Sequence, residues 1–178
     1  MKVSAGELVF SYPAKGGIQR DVRIHDEHLV QVVKSLRRAA PGTDRLLTYR
    51  ANGAWHEVHA DDINGRLKEL AGDEFTGKDL RTWNATVLAA VAFANAEPPS
   101  STTARKRAEA AVMRKVSEGL GNTPAVARRS YVDPRVIRAF DKDLTIKPAL
   151  RRAGSLDDDH DARALIERAV IRLLGKTS

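Results

Sequence analysis

The chain has 178 residues, with 30 lysines and arginines against 23 aspartates and glutamates, which gives a net charge of +7 and a pI near 9.9. A hydrophobic fraction of 42% excludes an intrinsically disordered chain, and no apolar run approaches the roughly 18–20 residues of a membrane helix. The absence of cysteine excludes disulfides, thiolate metal sites and thiol nucleophiles. A basic domain of this kind predicts an anionic partner, with nucleic acid as the first candidate.

The N-terminal part of the chain has the pattern of short strands. Apolar and polar residues alternate over residues 7–12 and again over 22–24, which predicts a hairpin with its turn at residues 13–17. A second predicted strand runs through residues 46–49 and is turned at Asn52-Gly53 towards residues 55–58. We therefore expect a small antiparallel sheet near the N-terminus.

Five helical stretches follow from apolar residues spaced three and four apart. The first begins after Asp26 and stops before Pro41, and the third begins at a capping box formed by Thr76 and Asp79. The predicted buried faces are Leu29, Val32, Val33 and Leu36; Ile63, Leu67 and Leu70; Leu80, Trp83, Val87, Leu88 and Val91; Ala104, Ala108, Ala111, Val112 and Val116; and Leu165, Ile166, Ala169, Val170, Leu173 and Leu174.

Two further short helices are predicted between residues 123 and 140. Thr123-Pro124 and Asp133-Pro134 each pair a capping residue with a first-turn proline, so two helices meet near Tyr131. Residues 141–156 show weak periodicity and are expected to be a connector. The predicted fold class is a mainly helical α+β domain, divided into a hairpin and first-helix region (1–60), a helical core with the active site (61–140) and a C-terminal part (141–178).

Tyr131 is a candidate nucleophile because it lies between two predicted helices and beside two cations, Arg128 and Arg129. A tyrosine titrates near 10, so attack on phosphorus requires positive charge nearby to stabilise the phenolate. Asn122 precedes the same helix cap, nine residues earlier. An equally simple interpretation is that Tyr131 closes the core at a helix junction.

Three cations elsewhere are candidates for contacts to phosphate. Lys15 lies at a glycine-flanked hairpin tip, and Lys78 and Arg81, three residues apart, share one face at the start of a helix. The alternatives are a solvated lysine in a turn and an ordinary exposed helical face.

Three segments together carry a resemblance to one family: residues 120–134 (LGNTPAVARRSYVDP), residues 75–83 (FTGKDLRTW) and residues 10–17 (FSYPAKGG). They resemble the nucleophile segment, the Lys-x-x-Arg block and the catalytic-lysine hairpin of bacterial, poxvirus-like type IB DNA topoisomerases. The hairpin match is looser, since Pro13-Ala14 replaces a more usual Arg-Gly type pair. The likeness runs from about Glu7 to Phe140.

The resemblance implies a role for each matching residue. Tyr131 attacks a DNA phosphodiester and leaves a 3′-phosphotyrosyl enzyme, and Arg81 donates to the non-bridging oxygens. Asn122 stands where other members have histidine and donates to the phosphate, while Lys15 protonates the departing 5′-oxygen. Lys78 is a secondary phosphate contact. Apart from the resemblance, Arg128 and Arg129 beside Tyr131 are candidate DNA contacts, and so are Arg105 and Lys106, whose basic run also fits a solvated helical face.

The resemblance also implies that the nicked strand rotates and is resealed without ATP or a metal. It implies that duplex DNA is the partner of a monomeric, cytoplasmic, nucleoid-associated protein without membrane or small-molecule cofactor. The histidine pairs at residues 25–28 and 56–59 lack the helical spacing of a zinc site. The family has a further catalytic arginine and an N-terminal clamp upstream of the hairpin, and this sequence has neither. We therefore expect a fragment with weak or absent relaxation activity by itself.

Two alternative functions stay open. A tyrosine recombinase or integrase shares the tyrosine nine residues after a Leu-Gly-His type motif, but it typically has His-x-x-Arg where this chain has residues 78–81, and histidine where this chain has Asn122. A non-catalytic DNA-binding remnant would form no covalent adduct with DNA.

Overall fold

The computed structural model describes residues 1–4, 6–13, 19–39, 45–154 and 160–177. The chain divides into two compact units, Met1–Phe75 and Thr76–Ser178. The described part contains eight helices and two small antiparallel sheets, and both sheets lie in the first unit. The predicted mainly helical α+β class is therefore confirmed. No helix in the described ranges combines the length and the apolar character that crossing a bilayer requires.

A three-stranded antiparallel sheet opens the first unit. Its strands are β1 (Lys2–Ser4), β2 (Glu7–Pro13) and β3 (Gln19–His25), in the order β1-β2-β3. In the predicted hairpin, Leu8 lies opposite Ile24. The edge strand β1 was not predicted, because three residues are too few to show a period.

Helix α1 (Glu27–Ala39) packs its apolar face on this sheet and forms a small core with it. Asp26 caps the helix, since its Oδ1 accepts a hydrogen bond from the Leu29 backbone N–H at 2.8 Å. Val30 and Val33 are buried, whereas Val32 is 52% exposed. The predicted face was therefore wrong at Val32, because the small core forms on the side of α1 that carries Val30 and Val33.

The first unit ends with strands β4 (Thr48–Ala51) and β5 (Ala54–Glu57) and helix α2 (Ala60–Ala71). Asn52 and Gly53 both have positive φ, 51° and 79°, as the predicted tight turn requires. Helix α2 buries none of its residues, and Ile63 and Leu70 are 54% and 70% exposed. The prediction that the apolar residues of α2 form a buried face was therefore wrong.

The second unit is entirely helical in its described part. Its helices are α3 (Gly77–Asn95), α4 (Thr102–Leu120), α5 (Pro124–Ser130), α6 (Pro134–Asp141), α7 (Lys147–Ala153) and α8 (His160–Gly175). The predicted connector over residues 141–156 was wrong where α7 forms. Pro148 lies in the first turn of this helix, and Ala149 packs into the core, so tertiary burial supports a helix too short to show periodicity.

Alanine supplies most of the buried face of α3. Leu80 and Leu88, which were predicted to be buried, are 53% and 41% exposed. The buried residues are Ala85, Thr86, Ala89, Ala90, Ala92, Phe93 and Ala94. Because α3 contacts α4, α6, α7 and α8, small side chains allow several helices to approach it closely. On α4, Val112 and Val116 are buried as predicted, whereas Ala111 faces solvent.

Candidate functional site

Two capped helix starts build the segment around Tyr131. The Thr123 hydroxyl accepts a hydrogen bond from the Val126 N–H at 3.3 Å and caps α5. The Asp133 carboxylate accepts one from the Arg135 N–H at 2.8 Å and caps α6. Tyr131 lies between the two helices, as the sequence predicted, and its N–H donates to the Ala127 carbonyl at 3.1 Å.

Thr86 of α3 holds this junction from the core side, and the sequence analysis missed it. Its side chain is 2% exposed, and its Oγ1 accepts a hydrogen bond from the Asp133 N–H at 3.1 Å. The same hydroxyl donates to the Thr82 carbonyl at 2.8 Å and lies 3.4 Å from the Tyr131 carbonyl oxygen. The sequence does offer a signal for Thr86, because a hydroxyl among the alanines of a buried helix face must find hydrogen-bond partners.

Arg81 joins three separate parts of the second unit. Its Nη2 donates to the Leu120 carbonyl at the end of α4, at 2.6 Å. Its Cζ lies 5.1 Å from the centroid of the half-buried Tyr131 ring, within cation–π range. A guanidinium carries five N–H donors, so the group that contacts Leu120 and the ring retains donors for a ligand. This arrangement places a permanent positive charge beside a phenol.

Asn122 lies two residues after Leu120, the residue whose carbonyl Arg81 contacts. Gly121 ends α4 in the left-handed conformation, with φ 68°, and the Asn122 N–H turns back to the Ser117 carbonyl at 3.1 Å. The Asn122 Oδ1 is buried and has no hydrogen-bond partner among the described residues. A buried amide oxygen without a partner is uncommon in a folded protein, and Asn122 lies two residues from Leu120, which anchors Arg81.

The Asp133–Arg135 pair reinforces the start of α6. Arg135 Nη2 lies 2.7 Å from the Asp133 carboxylate. Hydrogen bonding from the Arg135 side chain holds the pKa of Asp133 below its usual range, against the opposing effect of partial burial. The carboxylate therefore stays ionised at neutral pH and continues to cap the helix that follows Tyr131.

Lys78 lies in the first turn of α3, exposed and one turn before Arg81. The capping box predicted around it is present, since Asp79 accepts hydrogen bonds from the Thr76 N–H at 2.9 Å and from its hydroxyl at 2.6 Å. These bonds lower the pKa of Asp79. Lys15 lies outside the described residues, so its predicted role stays a prediction.

The other predicted DNA contacts differ in exposure and in whether they form ion pairs or hydrogen bonds within the chain. Arg128 is paired with Glu109 at 2.6 Å, while Arg129 and Lys106 are exposed. Arg105 donates to the Phe140 carbonyl and to Asp143, the latter at 2.7 Å, and stacks over the Phe140 ring. Because only 22% of the Arg105 side chain is exposed, its evident role is to fasten α4 to the end of α6.

Residues 2–151 match the sequence model of the family described as eukaryotic DNA topoisomerase I, catalytic core. The chain belongs to this family. The match contains all three segments that suggested a type IB topoisomerase, and with them Arg81, Asn122 and Tyr131.

A viral DNA topoisomerase is also similar to this chain. The DNA topoisomerase 1B of Acanthamoeba polyphaga mimivirus is 26% identical over 140 residues, which cover 74% of this chain and 41% of the viral protein. The chain thus spans about two fifths of that relative's length. The type IB resemblance is supported, whereas the bacterial subgroup stays a prediction.

Proposed function

We propose that this chain carries the transesterification centre of a type IB DNA topoisomerase. The observation that carries the proposal is the position of Arg81, which is held by the Leu120 carbonyl and lies 5.1 Å from the centroid of the Tyr131 ring. A nucleophilic phenol requires a nearby cation, and a phosphodiester under attack requires a donor for its oxygens. One guanidinium can meet both requirements.

In the proposed reaction, the Tyr131 Oη attacks the phosphorus of a DNA phosphodiester. An Oη–P bond forms as the P–O5′ bond breaks, which leaves a 3′-phosphotyrosyl enzyme and a free 5′-hydroxyl. The phenol loses its proton and the leaving oxygen gains one. Since one ester replaces another, the nicked strand can rotate and then be resealed by the reverse reaction, without consuming ATP.

The proposed roles of the surrounding residues follow from their chemistry. Arg81 uses its remaining N–H groups on the non-bridging oxygens, where charge develops in the transition state. Asn122 contributes its amide donor to the same phosphate. Lys78 shares a helix face with Arg81 and contacts a neighbouring phosphate. Lys15 is proposed as the acid for the 5′-oxygen on the strength of the sequence resemblance alone.

Duplex DNA is the proposed substrate, bound through its phosphates without base readout. The net charge of +7 supports this proposal. Arg129 and Lys106 are the exposed cations proposed as backbone contacts, and Arg128 joins them when phosphate displaces Glu109. We retain the proposals of a monomer and of a location on the bacterial nucleoid, which rest on the resemblance.

The proposal is tested by trapping the covalent intermediate. The chain is mixed with a duplex whose cleaved strand carries a short 3′ segment, which dissociates after cleavage and prevents resealing, and the reaction is quenched with SDS. We expect a labelled protein band only when the label is on the 5′ end of that strand. Tyr131→Phe should abolish the band, and the matched control Tyr49→Phe should retain it.

Other outcomes separate the alternatives. Absence of any adduct contradicts the proposal and favours a non-catalytic DNA-binding protein, and an adduct that persists in Tyr131→Phe assigns the nucleophile elsewhere. Strand exchange between paired sites identifies a recombinase, whereas relaxation of a supercoiled plasmid by the full-length parent protein identifies a topoisomerase.

A further inference from the structure

A pocket of about 250 Å³ lies between α7 and α8, on residues other than those around Tyr131. Its floor is apolar and its rim is cationic. The floor includes Ile146, Ala149 and Leu173, which are 3%, 5% and 7% exposed. The rim residues are Arg152, Arg172 and Lys176, all exposed, together with the half-buried Thr145.

The charge around this pocket is of one sign. Residues 145–154 and 168–177 contain six lysines and arginines and no aspartate or glutamate. Other cations of this unit have carboxylate partners, such as Arg128 with Glu109 and Arg163 with Glu167. Within the described ranges, none of the three rim cations forms an ion pair. Their mutual repulsion therefore favours binding of an anion between them.

Stabilisation of a helix dipole does not explain this arrangement. Cations at the carbonyl end of a helix interact favourably with its dipole, which accounts separately for Arg172 in the last turn of α8, for Lys176 just after that helix, and for Arg152 in the last turn of α7. This dipole effect does not explain why cations at the ends of two different helices line the same pocket. The three rim cations also follow residue 151, where the family match ends.

Phosphate is the anion that fits this surface best. A guanidinium presents a planar fork to two phosphate oxygens, a lysine adds a point charge, and the Thr145 hydroxyl is a neutral donor of the kind that contacts DNA backbones. The apolar floor can contact the C–H groups of the adjoining deoxyribose. We propose that the α7–α8 pocket is a second phosphate-binding site, which takes a backbone phosphate of the duplex. This inference rests on the proposed function for its choice of DNA.

The test compares two double variants that remove the same charge from the same two helices. Arg152→Gln/Arg172→Gln changes the pocket, whereas Arg151→Gln/Arg168→Gln changes neighbouring residues that do not line it. Affinity for a short duplex is measured between about 50 and 200 mM salt. We expect the slope of the logarithm of the DNA association constant against the logarithm of salt concentration to become shallower by about 1 in the pocket variant. In the control variant, the slope should change by less than about 0.5.

Equal slopes in the two variants overturn the proposal. Inorganic pyrophosphate, titrated into the DNA-free chain and followed by amide chemical shifts, provides the second arm. If pyrophosphate shifts the amide signals of residues 145–147 and 149 while the DNA slopes stay equal, the pocket takes a free phosphate and the assignment to the DNA backbone is wrong. Because both double variants are compared in the Tyr131→Phe background, this result is independent of adduct formation by Tyr131.

Discussion

Replacing Thr86 with valine removes one buried hydroxyl and keeps the branched shape of the side chain. The hydroxyl accepts from the Asp133 N–H at 3.1 Å and donates to the Thr82 carbonyl at 2.8 Å. It thereby connects the middle of α3 to the junction that carries Tyr131. The substitution tests whether this connection, and not the packing of the side chain, holds the junction.

The expected loss comes mainly from Asp133. Its N–H is left without its acceptor in a partly buried position, and an unsatisfied buried donor costs about 1–3 kcal/mol. The Thr82 carbonyl loses less, because it is positioned to accept the ordinary helical bond from the Thr86 N–H. We expect Thr86→Val to lower the free energy of unfolding by about 1–2 kcal/mol.

Thr86→Ser is the matched control, since it keeps the hydroxyl and loses one methyl group. Its packing loss of about 1 kcal/mol is similar in size, so total stability alone does not separate the two variants. Amide hydrogen exchange at Asp133 separates the two variants. We expect protection of this amide to fall in Thr86→Val, measured in the native state, and to be retained in Thr86→Ser.

The formation rate of the covalent DNA adduct gives a second measurement. If Thr86 positions Tyr131, the rate should fall in Thr86→Val and stay near the original value in Thr86→Ser. Unchanged protection of the Asp133 amide in Thr86→Val, at unchanged stability, would refute the reasoning.

Two further predictions concern charges near Tyr131. Arg81→Lys should slow adduct formation by about 10²-fold or more, because one ammonium cannot replace a planar guanidinium that contacts both the Leu120 carbonyl and a phosphate. A rate within a few-fold of the original, measured in a quenched time course, would contradict this role. Asp133→Asn keeps a competent helix cap but removes the charge. Because the folded-state pKa of Asp133 is lowered, its ionised form adds stability above the unfolded-state pKa, and this contribution is lost as the pH falls through the folded-state value. Urea unfolding should therefore show Asp133→Asn to be less stable at neutral pH, with the difference shrinking below about pH 4; a constant difference would contradict the linkage.

The local features of this protein could be predicted from short stretches of sequence. The capping box of Thr76 and Asp79 and the starts of α5 and α6 are where the sequence places them. So is the turn at Asn52 and Gly53. Each of these depends on hydrogen bonds or φ values of residues within one turn, so the neighbours in sequence contain the information.

Burial could be predicted less well, because it depends on which elements surround a helix. Leu80 and Leu88 have the spacing of a buried stripe, but contacts with four other helices place the alanine face of α3 inside. Helix α7 has too few residues for a periodic signal, and it forms where Ala149 enters the core. In these cases contacts between distant segments outweigh the local pattern.

For the candidate site, sequence alone pointed to Arg81, Asn122 and Tyr131, whose residue types and motifs resemble one family of enzymes. Tertiary structure decided that Arg81 reaches the Leu120 carbonyl, 39 residues away, and the ring of Tyr131. It also decided that Thr86 supports the junction and that Arg105 is engaged with Phe140 and Asp143. The physical reason is that the chemistry of each side chain is set by its own residue type. Bringing Arg81, Leu120 and Tyr131 together instead requires α3 to pack against α4 and α6, and α4 to pack against α5, which no single segment encodes.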